Sequence, residues 1–368
     1  MKPASLLVGK PRLGKRPVPL VSVVIPAYQA EGHIAQALDS VFAQAFTSYE
    51  VLVVNDGSPN SEALERVLRP YWLKIRYLRQ ENRGPSAARN AGILQAQGKY
   101  VAFLDSDDQW FPHHLARQVE MLEESPGLGL AYANCLLTRD GIPIGTSFQL
   151  SPQAPQATFE TLLREECRIG TSSVVASRQV LLDAGLFDES LRRCEDFDLW
   201  LRLGHRGSGI RYDSQVQVRH QRKNGLAADV ESMKRALIRV FQKVAELPIT
   251  PQQCRFVQQR IARVEAELQL ERARKSLVAE EFDVALAAAQ SARSSLDSWK
   301  LSLAVLGLKL CPHTLCRSYR AYAQLLEMHR RFRAVRRNSQ LRSGRLLRPV
   351  VLGQGQAGQG SKKLQCLE

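Results

Sequence analysis

From Val21 onward, short apolar segments alternate with segments of helical periodicity, and this alternation restricts the fold more than any other feature of the chain. We predict strands over residues 21–26, 49–54, 73–79, 100–104, 128–137 and 171–176. The helical segments are residues 31–45, 60–69, 85–97, 113–124 and 178–184. Such alternation predicts an α/β fold with a mainly parallel, Rossmann-like sheet, which binds ligands beyond the carboxyl ends of its strands.

An acidic cluster, Asp105-Ser106-Asp107-Asp108, directly follows the apolar segment at residues 100–104. A fold tolerates three neighbouring carboxylates best where a divalent cation or a cationic ligand screens their repulsion. One interpretation is therefore Mg²⁺ or Mn²⁺, bound together with substrate phosphates. The other is structural, because Asp and Ser are also common in turns and at the N-caps of helices, and a helix is predicted to begin near Pro112.

Two more polar loops follow predicted strands of the same sheet. Pro26-Ala27-Tyr28 ends the first strand, and Asn55-Asp56-Gly57-Ser58 ends the second. The carboxyl ends of parallel strands meet at one edge of a sheet, so these loops and the acidic cluster converge. Three polar loops on one edge predict a nucleotide-binding cleft.

Positive charge is distributed unevenly along the 368 residues. The formal net charge is +15, but residues 1–20 carry +5, residues 21–220 carry −5 and residues 221–368 carry +15. A basic face for nucleic acid is therefore not expected on the α/β part. The basic ends are suited to polyanions, including phosphates at a membrane surface.

We predict a basic flexible arm at residues 1–19, an α/β domain at 20–225, a helical region at 228–335 and a basic, disordered tail at 336–368. The seven cysteines form no C-x-x-C pair, and the N-terminus lacks the apolar core of a secretory signal, so a cytoplasmic location is expected. No apolar run reaches the roughly 20 residues of a membrane span. Peripheral contact with the inner membrane face through residues 299–348 is one interpretation, and a buried helix with a solvated tail is the other.

A second pair of acids, Glu195 and Asp196, stands at the predicted start of a helix whose apolar residues recur at helical spacing. Acids are favourable in a first helical turn, so capping alone would explain them. The alternative is a catalytic role, and the two acids alone do not decide between capping and catalysis.

Taken together, these segments resemble family 2 glycosyltransferases with the GT-A fold, over residues 20–225. The likeness rests on five segments in order: VSVVIPAY (21–28), VVNDGS (53–58), ENRGPSAARNAG (81–92), the acidic cluster, and ED with DLWLRL (195–203). The resemblance implies transfer of one sugar from a nucleotide diphosphate donor to an acceptor hydroxyl, with inversion. The Gln-x-x-Arg-Trp motif of processive synthases is absent.

The resemblance also implies a donor site for a UDP-sugar. It assigns the nucleotide to Pro26, Ala27, Tyr28, Asp56, Gly84, Arg89, Asp105 and Ser106. In this assignment Asp56 accepts the N–H of uracil in a charge-assisted bond, and Asp105 lies by the ribose. For Arg89 the alternative is an ordinary surface arginine on a helix.

For the chemistry, the resemblance places Asp107 on a divalent metal that stabilises the departing diphosphate. His220 is placed near the phosphates or the metal, with a plain surface histidine as the alternative. Asp196 is the implied general base. Glu195 and Trp110 are expected on the side of the acceptor, a glycan or lipid-linked sugar in polysaccharide or glycolipid assembly.

Two other functions compete with this interpretation. A nucleotidyltransferase shares the cleft and the acidic residues, but the loop after the first strand lacks the Gly-rich, basic phosphate signature. A catalytically inactive nucleotide-sugar-binding scaffold is the other, and the intact Asp56, Asp105, Asp107 and Asp196 argue against it. The donor sugar, the acceptor and the oligomeric state are not predicted.

Overall fold

The structure is a computed structural model that describes residues 17–221, 229–296, 298–325 and 328. The predicted flexible arm up to residue 16 and the predicted disordered tail lie outside the described residues. The chain divides into two compact units, of which one ends at Leu268 and the other begins at Gln269. The sequence instead groups all residues after 228 into one helical region.

The first unit is built around one mixed sheet, in the order β3-β2-β1-β4-β8-β6-β9-β5, with β7 paired to β6. The strands are β1 (Val21–Ala27), β2 (Tyr49–Asp56), β3 (Arg76–Gln80), β4 (Tyr100–Phe103), β5 (Gln109–Trp110), β6 (Leu128–Arg139), β7 (Ile142–Thr146), β8 (Val175–Ser177) and β9 (Gly209–Gln221). Five predicted strands correspond to β1–β4 and β6, whereas the strand predicted over residues 171–176 was wrong in its first half: residues 171–173 form a 3-10 turn, and β8 begins at Val175. The long β9 was not predicted, because its polar residues outnumber its buried apolar ones.

The helices of the first unit are α1 (Ile34–Phe42), α2 (Ser61–Leu68), α3 (Pro85–Gln95), α4 (His114–Glu124), α5 (Ser147–Leu150), α6 (Phe159–Leu163), α7 (Arg178–Asp183), α8 (Glu195–His205) and α9 (Val230–Ala245). A 3-10 turn, Thr171–Ser173, precedes β8. The predicted helices therefore form, with α1 three residues shorter at each end than predicted, at Ile34 and Phe42. No cis peptide bond occurs in the described chain.

The core lies on both faces of the sheet because successive strand residues point to opposite sides. Val23 and Ile25 of β1 belong to one hydrophobic cluster with α1, whereas Val24 belongs to another with Ile93 of α3. A Cβ at Gly92 of α3 would stand 2.3 Å from Cγ1 of Val24. Only glycine allows α3 to lie this close to β1.

Strand direction determines which residues share an edge. β1, β2 and β4 are parallel, while β8 is antiparallel to both β4 and β6. β9 runs parallel to β6, so it also points the same way as β4. The carboxyl ends of β1, β2, β4 and β9 consequently lie on one edge.

The second unit is helical in its described part. It contains the end of α10 (Pro251–Val278), then α11 (Phe282–Arg293), α12 (Trp299–Leu310) and a helix over residues 312–325. Alanines of α11 pack closely against Leu301, Val305 and Leu308 of α12. Within the described residues, none of the helices combines the length and the hydropathy that a bilayer crossing requires.

Candidate active site

Asp56, at the end of β2, is a buried carboxylate that accepts three hydrogen bonds from other residues of the chain. It accepts hydrogen bonds from Gln80 Nε2 at 2.7 Å, from the Arg83 backbone N–H at 3.0 Å and from the Gly84 N–H at 2.8 Å. Gly84 has φ 91°, which L side chains rarely adopt, so this turn requires glycine. A carboxylate has about four lone-pair positions, and roughly one therefore remains for a ligand.

The loop after β1 presents an aromatic side chain next to Asp56. Tyr28 is 45% exposed, whereas Ala27 before it is buried in the sheet. The backbone N–H of Gln29 donates to Ser58 Oγ at 3.1 Å, which joins this loop to the one after β2. The two loops thus form one polar and aromatic rim.

Arg89 is buried in α3 and contacts two acids that are far apart in sequence. Its guanidinium is 2.7 Å from Asp105 Oδ1 and 2.9 Å from Glu195 Oε1, and it packs over the Phe187 ring at 5.5 Å. At 5% exposure it is not a surface arginine, so that alternative was wrong. The guanidinium joins the acidic cluster to the first turn of α8.

The guanidinium of Arg89 also affects the acidity of its partners. Burial alone would raise the pKa of Asp105, but the charge and hydrogen bond of Arg89 lower it below the usual range. For Glu195, burial and the neighbouring charge of Asp196 together raise the pKa, although Arg89 opposes the shift. Asp105 is accordingly held as a carboxylate.

Asp108 is a fully enclosed carboxylate that organises the end of β9. It accepts hydrogen bonds from Ser172 Oγ at 2.5 Å and from the Gln221 backbone N–H at 3.0 Å, and His220 Nδ1 lies 2.9 Å away. The His220 side chain is 42% exposed but is held by this contact. It is therefore not the unattached surface histidine of the alternative interpretation.

The charge around His220 favours its protonated form. Burial would lower the pKa of His220, yet the hydrogen bond to Asp108 and the charges of Asp108, Asp105 and Asp107 raise it. Ser106 and Asp107 are partly exposed at the rim of the same loop. The acidic cluster thus divides into an anchored residue, Asp108, and more accessible ones.

Metal binding was tested against the side chains present. In the described part of the chain, no group of three or more His, Cys, Asp or Glu side chains is placed to hold a metal ion by itself. Mg²⁺ commonly binds through one or two carboxylates, with substrate phosphates and water completing its shell. Asp107 and His220 are the side chains at this rim that could hold such an ion with substrate phosphates, and His220 would do so only in its neutral form, which the neighbouring carboxylates disfavour.

Asp196 lies in the first turn of α8 and is partly exposed. Thr171 Oγ1 donates to its Oδ2 at 3.2 Å, and its Oδ1 accepts from the Phe197 N–H at 2.7 Å. Burial raises the pKa of Asp196, while the positive charge of Arg89 counteracts part of that effect. Such a carboxylate has a higher affinity for a proton than an ordinary aspartate.

Asp198, two residues further along α8, has a different surrounding. It is buried and forms ion pairs with Arg202 at 2.7 Å and Lys243 at 2.6 Å. These contacts tie α8 to α9, so Asp198 has a structural role.

Trp110 does not lie where it was predicted. It is only 4% exposed, its Nε1 donates to the Ser172 carbonyl at 2.7 Å, and its ring packs against His114. Contact with an acceptor is excluded for a side chain enclosed in this way, and the prediction was wrong. Trp110 instead supports the turn beneath the site.

The 3-10 turn before β8 contributes to the site, although the sequence predicted its residues, 171–173, to belong to a strand. Thr171 holds Asp196, while Ser172 donates to Asp108 and accepts from the Asp105 backbone N–H at 3.1 Å. The run Gly-Thr-Ser-Ser was the only sign of it. Its contacts join residues more than 20 positions apart, which no local pattern reveals.

Comparison with known sequences establishes the family. A profile described as Glycosyl transferase family 2 matches residues 22–141. The E. coli UDP-Glc:alpha-D-GlcNAc-diphosphoundecaprenol beta-1,3-glucosyltransferase WfgD is 31% identical over 185 residues, 50% of this chain and 69% of that protein. The chain belongs to glycosyl transferase family 2.

Other members of glycosyl transferase family 2 show how far the likeness extends. The putative teichuronic acid biosynthesis glycosyltransferase TuaG of Bacillus subtilis is 31% identical over 194 residues, 51% of this chain and 73% of that protein. An uncharacterized glycosyltransferase of Rickettsia bellii is 31% identical over 206 residues. The match covers 55% of this chain but only 29% of the Rickettsia protein, so the chain spans less than a third of that relative.

Solved structures confirm the predicted fold. A structure of S. aureus TarS in complex with UDP-GlcNAc has TM-score 0.58 and 18% identity, over 82% of this chain and 91% of that one. The mannosyltransferase PcManGT of Pyrobaculum calidifontis, in complex with GDP-Man and Mn²⁺, has TM-score 0.53 and 21% identity, over 86% of each chain. The GT-A fold followed by helices is therefore shown for this family member.

Proposed function

We propose that the protein moves one sugar from a UDP-sugar to an acceptor hydroxyl, with inversion and without processivity. One observation carries the proposal. The buried Arg89 joins Asp105, at the carboxyl end of β4, to Glu195, which directly precedes Asp196. A site for the leaving diphosphate and a site for a general base are thereby held together at one edge of the sheet.

The donor base is proposed to bind between Tyr28 and Asp56. The exposed Tyr28 ring offers an apolar surface for a nucleobase. The remaining acceptor position of Asp56 suits the imide N–H of uracil. Since TarS has been seen with UDP-GlcNAc and PcManGT with GDP-Man, the fold alone does not choose the base.

Asp107 and His220 are proposed to hold a divalent ion with the donor diphosphate, while Asp105 and Ser106 face the ribose side. A bound Mg²⁺ or Mn²⁺ supplies charge for the leaving group, where a Lewis acid contributes several kcal/mol to the transition state. As a metal ligand His220 is neutral: its Nε2 binds the ion while its Nδ1–H donates to Asp108. Asp108 orients that imidazole through Nδ1.

Asp196 is proposed to take the proton of the acceptor hydroxyl as it attacks the anomeric carbon. Its raised pKa makes it a better proton acceptor than a solvated aspartate, and the positive charge of Arg89 opposes part of that rise. A single base on the face opposite the leaving group gives direct displacement and hence inversion. Glu195 contributes mainly as the partner of Arg89.

The acceptor is proposed to be a lipid-linked glycan, on the cytoplasmic side, in surface polysaccharide or glycolipid assembly. WfgD is named as a glucosyltransferase for alpha-D-GlcNAc-diphosphoundecaprenol, and TuaG is named for teichuronic acid biosynthesis. The six described cysteines are free, which fits a reducing compartment.

Calorimetric titration with UDP, with and without Mn²⁺, tests the proposal. We expect UDP to bind only with the metal and GDP to bind more weakly. Asp107→Ala should abolish the metal-dependent binding, whereas Asp183→Ala, on the exposed end of α7, should leave it unchanged. Binding of neither nucleotide would contradict the proposal and favour a scaffold.

A further inference from the structure

Helix α12 has apolar side chains on two opposite faces. Leu301, Val305 and Leu308 are buried against α11 and form the core of the second unit. A helix in a small helical unit normally turns a polar face to solvent on its other side. On α12 the other side is apolar as well.

The solvent side of α12 consists of Trp299, Leu303, Leu306 and Leu310, named here the α12 stripe. These side chains are 69%, 56%, 49% and 74% exposed. Their spacing of four, three and four residues places them within an arc of about 60° at 100° per residue. Isolated exposed leucines are ordinary, but four aligned apolar side chains on one helix form a contiguous patch of the kind that marks an interaction site.

Two lysines border the α12 stripe. Around the helix axis, Lys300 lies about 100° from Trp299 on one side, and Lys309 lies about 80° from it on the other. Lys300 Nζ lies 5.8 Å from the centre of the Trp299 ring. Long cationic side chains that flank an apolar stripe, with tryptophan at one end, can bury their stems while their ammonium groups stay at a polar boundary.

Positive charge exceeds negative charge in the sequence around the stripe, although Asp297 lies two residues before Trp299. Residues 298–325 include four cations and not one acid. Arg320 is paired with Glu280 at 2.9 Å, while Lys300 and Lys309 border the stripe itself. The patch therefore combines apolar area with a positive field.

From these observations we infer that the α12 stripe docks the protein on an anionic lipid surface. Leucines and the indole enter the boundary between headgroups and acyl chains, and the two lysines contact lipid phosphates. A twelve-residue helix is about 18 Å long and lies in the plane of the surface.

This inference rests on the proposed function only for its biological purpose, since a lipid-linked acceptor would lie at the same surface. The α12 stripe contains no residue of the proposed nucleotide site. Vesicle binding and nucleotide binding are separate measurements, so either can fail without the other.

The test is co-sedimentation of the full chain with phosphatidylglycerol vesicles and with phosphatidylcholine vesicles, at low and high salt. We expect salt-sensitive binding to the anionic vesicles. Leu303→Gln combined with Leu306→Gln should weaken it at least tenfold, because glutamine keeps the helix but removes the apolar contact. Lys300→Gln and Lys309→Gln should each weaken it about fivefold.

Leu73→Gln combined with Leu94→Gln is the matched control, since both leucines are more than half exposed and lie in the first unit. It should bind like the wild type, and circular dichroism should show all variants folded. Unchanged vesicle binding by the stripe variant overturns the inference, as does an absence of binding. Self-association that the stripe variant abolishes, without vesicle binding, would assign the stripe to a second copy instead.

Discussion

Arg89 is the residue on which the geometry of the site depends most. Its guanidinium forms ion pairs with both Asp105 and Glu195, and only 6% of the Arg89 side chain is exposed. Buried ion pairs add little to stability as such, but removal of one partner leaves an unpaired charge at a large cost. Arg89 therefore acts chiefly by preventing two acids and Asp196 from repelling one another.

Arg89→Met is expected to lower the free energy of unfolding by about 3 kcal/mol, because two carboxylates lose their counterion. Urea denaturation measures the change. Combining it with Glu195→Gln should recover part of the loss, since one of the stranded charges is then absent. Equal stability of the single and double variants would show that Glu195 is not coupled to Arg89.

Asp196→Asn is expected to reduce kcat by a factor of roughly 10²–10⁴ while UDP binding stays the same, because the base is lost and the nucleotide contacts are not. Thr171→Val, which removes one hydrogen bond to Asp196, should have a much smaller effect. Kinetics with a UDP-sugar that the wild-type protein turns over, beside calorimetry with UDP, separates kcat from nucleotide binding. An unchanged kcat in Asp196→Asn would exclude it as the base.

Activity should also depend on pH in a defined direction. Burial raises the pKa of Asp196, so the base becomes protonated at a higher pH than an ordinary aspartate would. As pH falls, kcat/KM should therefore begin to decline above the usual aspartate range near 3.9. A profile that is flat down to pH 4 would contradict this assignment.

At the scale of single elements, the site depends on how closely α3 packs on β1. Arg89 and Gly92 stand one turn apart on α3, and the close contact of Gly92 with Val24 sets the depth at which the guanidinium lies. The turn at Thr171–Ser173 holds the start of α8 and the loop after β4 through its hydrogen bonds to Asp196 and Asp105. Helix α3 and this turn thus fix the positions of four acids, namely Asp105, Asp108, Glu195 and Asp196.

Gly92→Ala is expected to destabilise the fold by about 1–3 kcal/mol, because its Cβ would stand 2.3 Å from Val24 Cγ1 inside a closed core. Gly32→Ala is the matched control, since nothing lies within 4 Å of the added Cβ. Thermal and urea unfolding of both variants test this. If adding Val24→Ala to Gly92→Ala restores stability, the contact is the cause.

At the scale of the whole molecule, the chain carries two compact units. The proposed nucleotide site lies in the unit that ends at Leu268, and the α12 stripe in the unit that begins at Gln269. Each unit has its own hydrophobic cluster. Separate cores allow the units to unfold in separate steps.

UDP with Mn²⁺ is accordingly expected to stabilise only one of two calorimetric transitions. At a ligand concentration about 100 times Kd, the first unit should gain about 2.7 kcal/mol while the second is unaffected. The Asp107→Ala variant should show no shift. A single cooperative transition that moves as a whole would mean that the two units unfold together.

Much of this protein follows from the sequence alone. Hydrophobic periodicity is local, so the strands β1–β4 and β6 and the helices between them were predictable, as was the edge that gathers Tyr28, Asp56 and Asp105. Parallel strands bring the residues at their carboxyl ends together whatever the details of packing. The family and the GT-A fold follow from the same segments.

Only the tertiary structure decided the contacts between distant segments. Asp108 meets His220 across 112 positions, and Arg89 meets Glu195 across 106. Trp110 proved to be buried, and the mostly polar β9 formed because β6 supplies its hydrogen-bond partners. Local sequence patterns show which face of a helix or strand is apolar. They do not show which charged side chains form ion pairs, because tertiary packing brings together residues that are far apart in the chain.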